Sequence, residues 1–272
     1  MLNYDLYPYK AEMEADASTE LRIQQNTKRK VSMMQGELIT NIREDILGVG
    51  CRVYKNGLYG FASTPDLSST GIKGVLKKAS QNAGLLSSKI KTAKPAMLLP
   101  VGNGRYVTDY MMKTSDQKVY IDALRELDSY IIKNCPGLLN RSIVATEDSM
   151  EKLLAVSEGH DSHSIIPRSY IYVFMTVEGA DGSPVEVFEP IGGFGVFEDN
   201  FASLDEAFKV TDELYKRAMD KKTAVYAKAG LKTCILGGHL TGMLAHEAVG
   251  HTCESDLVLS GSVAGEYLGK EV

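Results

Sequence analysis

The stretch that most constrains this chain runs from Gly50 to Ala62. Apolar and polar residues alternate through Gly50-Cys51-Arg52-Val53-Tyr54, Asn56-Gly57 follows, and Leu58-Tyr59-Gly60-Phe61-Ala62 returns. Asn-Gly tolerates the positive φ angles of a two-residue turn whose twist matches paired strands, so an antiparallel hairpin is expected. The same period-two alternation in Leu21-Arg22-Ile23-Gln24 extends the strand-like region over 18–63. Next come capping side chains between Asp66 and Ser69, with Ile72, Val75, Leu76 and Ala79 on one helical face, which predicts a helix packed behind the hairpin.

Further along, Leu85–Thr114 holds Pro95, Pro100, Gly102 and Gly104 and predicts a long connection, with a domain boundary near residue 112. Ser115-Asp116 opens a second helix striped by Tyr120, Leu124, Leu127 and Ile131 and ended by Pro136-Gly137. Two short strands around Asp148-Ser149, a longer one over Ser169–Val177, a turn at Asp181-Gly182 and a strand through Phe188 imply more antiparallel sheet. Gly192, Gly193 and Gly195 lack both GxGxxG spacing and a following GK[ST], so they predict unusual backbone angles and no nucleotide site. Leu204, Ala207, Thr211, Leu214 and Ala218 mark a third amphipathic helix, and Leu231–Leu236 a last strand. This order predicts an α+β fold of largely antiparallel sheets with packed helices, divided at 1–112, 113–225 and 226–272. An exposed apolar surface is expected near 225–272.

At 272 residues there is enough chain for real hydrophobic cores, and 44% hydrophobic against 24% charged residues excludes whole-chain disorder. A net charge of -5 gives no general field for nucleic acid or an anionic membrane. No apolar run reaches the length of a membrane span, and the cysteines Cys51, Cys135, Cys234 and Cys253 form no CxxC pair. A cytoplasmic protein without nucleic-acid or membrane partners is the expectation.

The chemistry concentrates at the end of the chain, where His246-Glu247-Ala248-Val249-Gly250-His251 forms an HExxxH sequence. Two neutral imidazoles with a carboxylate suit a catalytic zinc. The nitrogens hold the metal, a bound water drops to a pKa of about 7, and the carboxylate takes its proton. That makes His246 and His251 candidate ligands and Glu247 the candidate base. On a regular α-helix positions i and i+5 lie about 140° apart, so the pair would splay. A π-type bulge would return both to one face, and Gly250 offers least hindrance there. Cys253 and Glu254 are both open as a further ligand. His160, Asp161 and His163 form a smaller polar cluster that needs no function.

Several of these stretches together resemble the TldD/PmbA family, also described as modulators of DNA gyrase. They are Val53-Tyr54-Lys55-Asn56-Gly57 with Gly60-Phe61-Ala62-Ser63-Thr64, Ser157-Glu158-Gly159, Gly192-Gly193, and His246–His251 with Cys253-Glu254 and the tail through Gly269. The resemblance implies a zinc metallopeptidase that acts on unfolded or leader peptides. It implies a homo- or hetero-dimer with a TldD/TldE-type subunit, with His246 and His251 as zinc ligands and Glu247 as general base. It also implies a third ligand, a cysteine far down the C-terminal domain, which none of the four cysteines matches. With the chain ending at Val272, residues 226–272 are expected to be the truncated start of that domain and the site to be incomplete. The alternative is a truncated relative that binds peptides or partners without cleaving them.

Overall fold

The computed structural model describes residues 2–89, 104–107, 115–267 and 269–271. Two compact units emerge, Met1–Ala224 and Val225–Val272. The first is built on one sheet. Strands β1 (Ser18–Met34), β2 (Glu37–Lys55), β3 (Leu58–Thr64), β4 (Gly104–Val107), β5 (Asn140–Val156), β6 (His160–Glu178) and β7 (Pro184–Phe194) are joined in the order β3-β2-β1-β5-β6-β4, with β7 also on β6. Every pairing is antiparallel except β4 on β6. Helices α1 (Ser69–Ser87), α2 (Gln117–Asn134), α3 (Phe197–Asn200) and α4 (Asp205–Lys222) complete the α+β unit.

The expected hairpin closes β2 on β3 through Asn56 and Gly57, both at positive φ (50° and 89°). A second turn of the same kind, Gln35-Gly36 (φ 52° and 86°), joins β1 to β2. In β1, the alternate residues Leu21, Ile23, Val31 and Met33 are buried while Arg22, Lys28 and Lys30 face solvent, so the period-two pattern selects the covered face. Ser68 caps α1 by accepting from Gly71 N–H, and Asp116 caps α2 by accepting from Lys118 N–H.

Helix α1 lays Ile72, Val75, Leu76, Ala79 and Ala83 against Leu21, Ile23, Val49, Cys51 and Val53, forming one core. A second core joins Tyr120, Leu124, Leu127 and Ile131 of α2, Phe197 and Leu214 to Val31, Ile143, Ile171, Val173 and Met175. Within it Glu147 is 3% exposed, and one carboxylate oxygen accepts from the Tyr120 hydroxyl and from Phe197 N–H, both at 2.7 Å.

Several expectations need correction. The two short strands around Asp148-Ser149 are one 17-residue strand, β5. The polar run is no break, because the Glu147 carboxylate is satisfied inside and Asp148 faces solvent. Leu231–Leu236 forms no strand, since a strand needs a neighbour to bond its backbone and among the described residues none pairs there. Helix α1 runs to Ser87, into the stretch expected to be a connection. Most of the rest of Leu85–Thr114, including the boundary at 112, lies outside the described residues, as does part of the tail through Gly269. The glycine-rich segment does carry unusual angles. Gly192 and Gly195 have φ of 125° and 124°, and a Cβ on Gly192 would stand 2.2 Å from the Ser169 carbonyl oxygen. Ser157-Glu158-Gly159 forms the β5–β6 turn, where Ser157 N–H donates to the Thr19 carbonyl and its hydroxyl accepts from Thr19 N–H, each at 2.9 Å.

No helix among the described residues is long and apolar enough to cross a membrane. The cysteines divide by burial. Cys51 and Cys135 are buried, Cys234 and Cys253 exposed. Burial penalises the thiolate and, with the nearby Glu20 carboxylate, pushes the Cys51 thiol up to about 12. Burial, with Asp212, pushes Cys135 up to about 11. Alkylation of the native chain is therefore expected to modify Cys234 and Cys253 and spare the other two until denaturant is added. Peptide mass mapping checks this, and Cys51 labelled as fast as Cys234 in native protein would contradict it.

Candidate metal centre

In the second unit, Gly237 precedes helix α5 (Gly238–Ala245), whose first turn closes with Thr241 N–H on the Gly237 carbonyl. The helix runs into a π turn over His246–Gly250, then a 3-10 turn over His251–Cys253. The π turn is defined by His251 N–H donating to the carbonyl of His246, five residues back. That extra residue per turn cancels the splay a regular helix would impose at i and i+5. The two imidazoles meet edge to face, ring centroids 4.5 Å apart.

Glu247 joins them, and one donor atom from each of His246, Glu247 and His251 lies within 4.8 Å of the others. His246 and Glu247 are exposed and His251 is half-buried. Glu247 Oε2 stands 3.7 Å from His251 Nε2, too far for a hydrogen bond. On the other side of the ring, His251 Nδ1 lies 2.6 Å from Glu254 Oε1. Two imidazole nitrogens and a carboxylate oxygen within such reach are a donor set that fits zinc.

Among the described residues that group contains neither Cys253 nor His239. Glu254, open as a ligand in the sequence, is engaged with the far nitrogen of His251. Gly250 is less special than its position implied. It has an ordinary helical φ of -56°, and a Cβ would meet Ala245 O at 3.7 Å, a normal contact. The second histidine cluster, expected in a polar loop, instead opens strand β6 and is tied into structural pairs. His163 Nε2 lies 2.9 Å from Glu151, and Asp161 pairs with Lys10 at 2.9 Å. The apolar residues Val225, Tyr226, Leu231 and Ile235 are exposed. Sequence reasoning missed the contact between His251 and Glu254, for which the i, i+3 spacing was the available signal.

Residues 19–83, covering β1 to β3 and most of α1, match the family model for PmbA/TldA metallopeptidase domain 1. A metalloprotease of Methanocaldococcus jannaschii is 30% identical over 234 residues, covering 83% of this chain and 49% of that protein. A metalloprotease of Methanothermobacter thermautotrophicus is 27% identical over 233 residues, covering 83% of this chain and 48% of that one. The crystal structure of TldE from Thermococcus kodakarensis superposes with a TM-score of 0.58 at 12% identity, over 79% of this chain and 46% of that one, a likeness of fold. The family-model match falls on β1 to β3 and α1, a segment that in this chain is a double hairpin with its helix. Residues 19–83 are thus a first domain of the PmbA/TldD family, and the chain as a whole is similar to those two metalloproteases. It spans about half the length of the curated relatives it matches.

Proposed function

We propose that this chain is the N-terminal portion of a zinc metallopeptidase acting on unfolded or leader peptides, with His246 and His251 as metal ligands and Glu247 as general base. The observation that carries this reading is the π turn, which puts two histidines five residues apart beside one carboxylate. A zinc ion there supplies Lewis acidity, polarising a peptide carbonyl and making a water easier to deprotonate. Glu247 sits one residue after the first ligand, and its carboxylate can take the proton from the attacking water and pass it to the departing amine. With His246 and Glu247 exposed and His251 half-buried, the group is open enough to admit a peptide and further ligands. Residues 226–272 are on this reading the start of the metal-binding domain, following an N-terminal part (1–112) and a central part (113–225). A cytoplasmic homo- or hetero-dimer with a TldD/TldE-type subunit is part of the same proposal, the likeness of fold to a TldE protein suggesting the type of subunit.

The test is the zinc content and affinity of the purified chain against His246→Ala. About one zinc per chain, lost in the variant, is the expected result for a site with two histidine ligands. Absence of zinc, or weak binding indifferent to residue 246, would overturn the assignment of a zinc site held by residues 1–272 themselves.

A further inference from the structure

We propose that Glu254 is a positioning residue for the metal centre: its carboxylate holds the His251 imidazole with the proton on Nδ1 and so presents Nε2 to the group formed with His246 and Glu247. The inference rests on the reading of His246 and His251 as ligands.

The argument starts from the donor and acceptor inventory. A carboxylate can only accept, so the 2.6 Å contact between His251 Nδ1 and Glu254 Oε1 requires the hydrogen on Nδ1. In a neutral ring the lone pair is then on Nε2. That nitrogen is the one facing Glu247, at 3.7 Å, outside hydrogen-bond range. Metal-binding histidines usually donate their other N–H to a carboxylate or carbonyl, which fixes both tautomer and ring orientation.

Local backbone geometry delivers the contact. After the π turn the chain tightens to a 3-10 turn, closed by Glu254 N–H on the His251 carbonyl at 3.1 Å. Glu254 is extended (φ -64°, ψ 136°), so its side chain returns over the ring three residues back. It also occupies the N-cap position of α6 (Ser255–Leu259) yet makes no capping bond. A side chain placed where a cap is usual is thus committed to the imidazole instead.

An exposed ion pair would account for the short distance alone, but it would not govern where the ring proton resides. The experiment therefore reads the tautomer. In the full 272-residue chain labelled with 15N at histidine, long-range proton–nitrogen correlations are recorded without metal at about pH 8, above the ordinary imidazole range. His251 is expected in the Nδ1–H form in wild type. Glu254→Ala is expected to return it to the Nε2–H form of a free imidazole, and Glu254→Gln, whose amide oxygen still accepts, to retain Nδ1–H. Zinc titration of the same three proteins is expected to show an affinity loss of about 10- to 100-fold in Glu254→Ala and a smaller one in Glu254→Gln. A tautomer unchanged in Glu254→Ala, or zinc affinity indifferent to residue 254, would overturn the proposal. A tautomer that follows residue 254 in a chain that binds no zinc would instead overturn the metal reading, leaving the ring's dependence on Glu254 standing.

Discussion

Gly60→Ala is expected to destabilise the first unit by about 3 kcal/mol or more, the upper end of what overpacking costs. Gly60 lies on β3 beneath α1, and a Cβ there would stand 2.2 Å from both Ala79 O and Ala83 N. Those atoms belong to the helix backbone, so no side-chain rotation can relieve the clash. The helix must lift from the sheet, loosening Ala79 and Ala83, both fully buried. Gly74→Ala in the same helix is the control. A Cβ there meets nothing within 4 Å, and replacing a helical glycine with alanine stabilises by roughly 0.5–1 kcal/mol. Urea unfolding followed by circular dichroism should move the midpoint in opposite directions for the two variants. A Gly60→Ala midpoint near wild type would mean that α1 is seated less tightly than the structure places it.

How far the sequence discloses this molecule depends on whether a feature is local. The Asn56-Gly57 turn, the caps at Ser68 and Asp116 and the stripes of α1, α2 and α4 are set by neighbours a few residues away, and all are legible. The π turn was legible as a condition, because two histidines five apart can share a face only if the helix widens. Gln35-Gly36 turns as tightly as Asn56-Gly57 but lacks the usual asparagine, so β1 and β2 gave no sign of their full length. Long-range facts were hidden. Leu231–Leu236 has a strand's composition, but a strand exists only with a partner, and composition does not supply one. The close fit of Gly60 to α1 is likewise a meeting of residues about twenty apart, invisible in a hairpin pattern.

Glu147→Ala is expected to cost about 3–5 kcal/mol, the range for breaking a buried charged arrangement by removing one member. Its carboxylate accepts from the Tyr120 hydroxyl on α2 and from Phe197 N–H at the start of α3, fastening both helices to the sheet. The Tyr120 and Phe197 rings stack with centroids 4.1 Å apart and are both fully buried, so neither donor can turn to solvent. Burial and the hydrogen bond to Glu147 both push the Tyr120 hydroxyl well above its ordinary value, which keeps it a donor. Directly across on β1 stands Arg29, in register with Glu147 and 4% exposed, with its guanidinium donating to Ser115 O at 2.5 Å. Alanine at 147 would leave a buried hydroxyl and a buried N–H without their acceptor and Arg29 without the opposing carboxylate. Glu147→Gln keeps an acceptor oxygen and loses only the charge, so it should fall between alanine and wild type. Urea midpoints at constant slope measure all three. A Glu147→Ala loss below about 1 kcal/mol would mean that water enters to satisfy the abandoned donors. The polar run that looks like a break in the strand is, on this account, the bolt that makes β5 continuous, since the sheet can bury Glu147 only where two helices bring it donors.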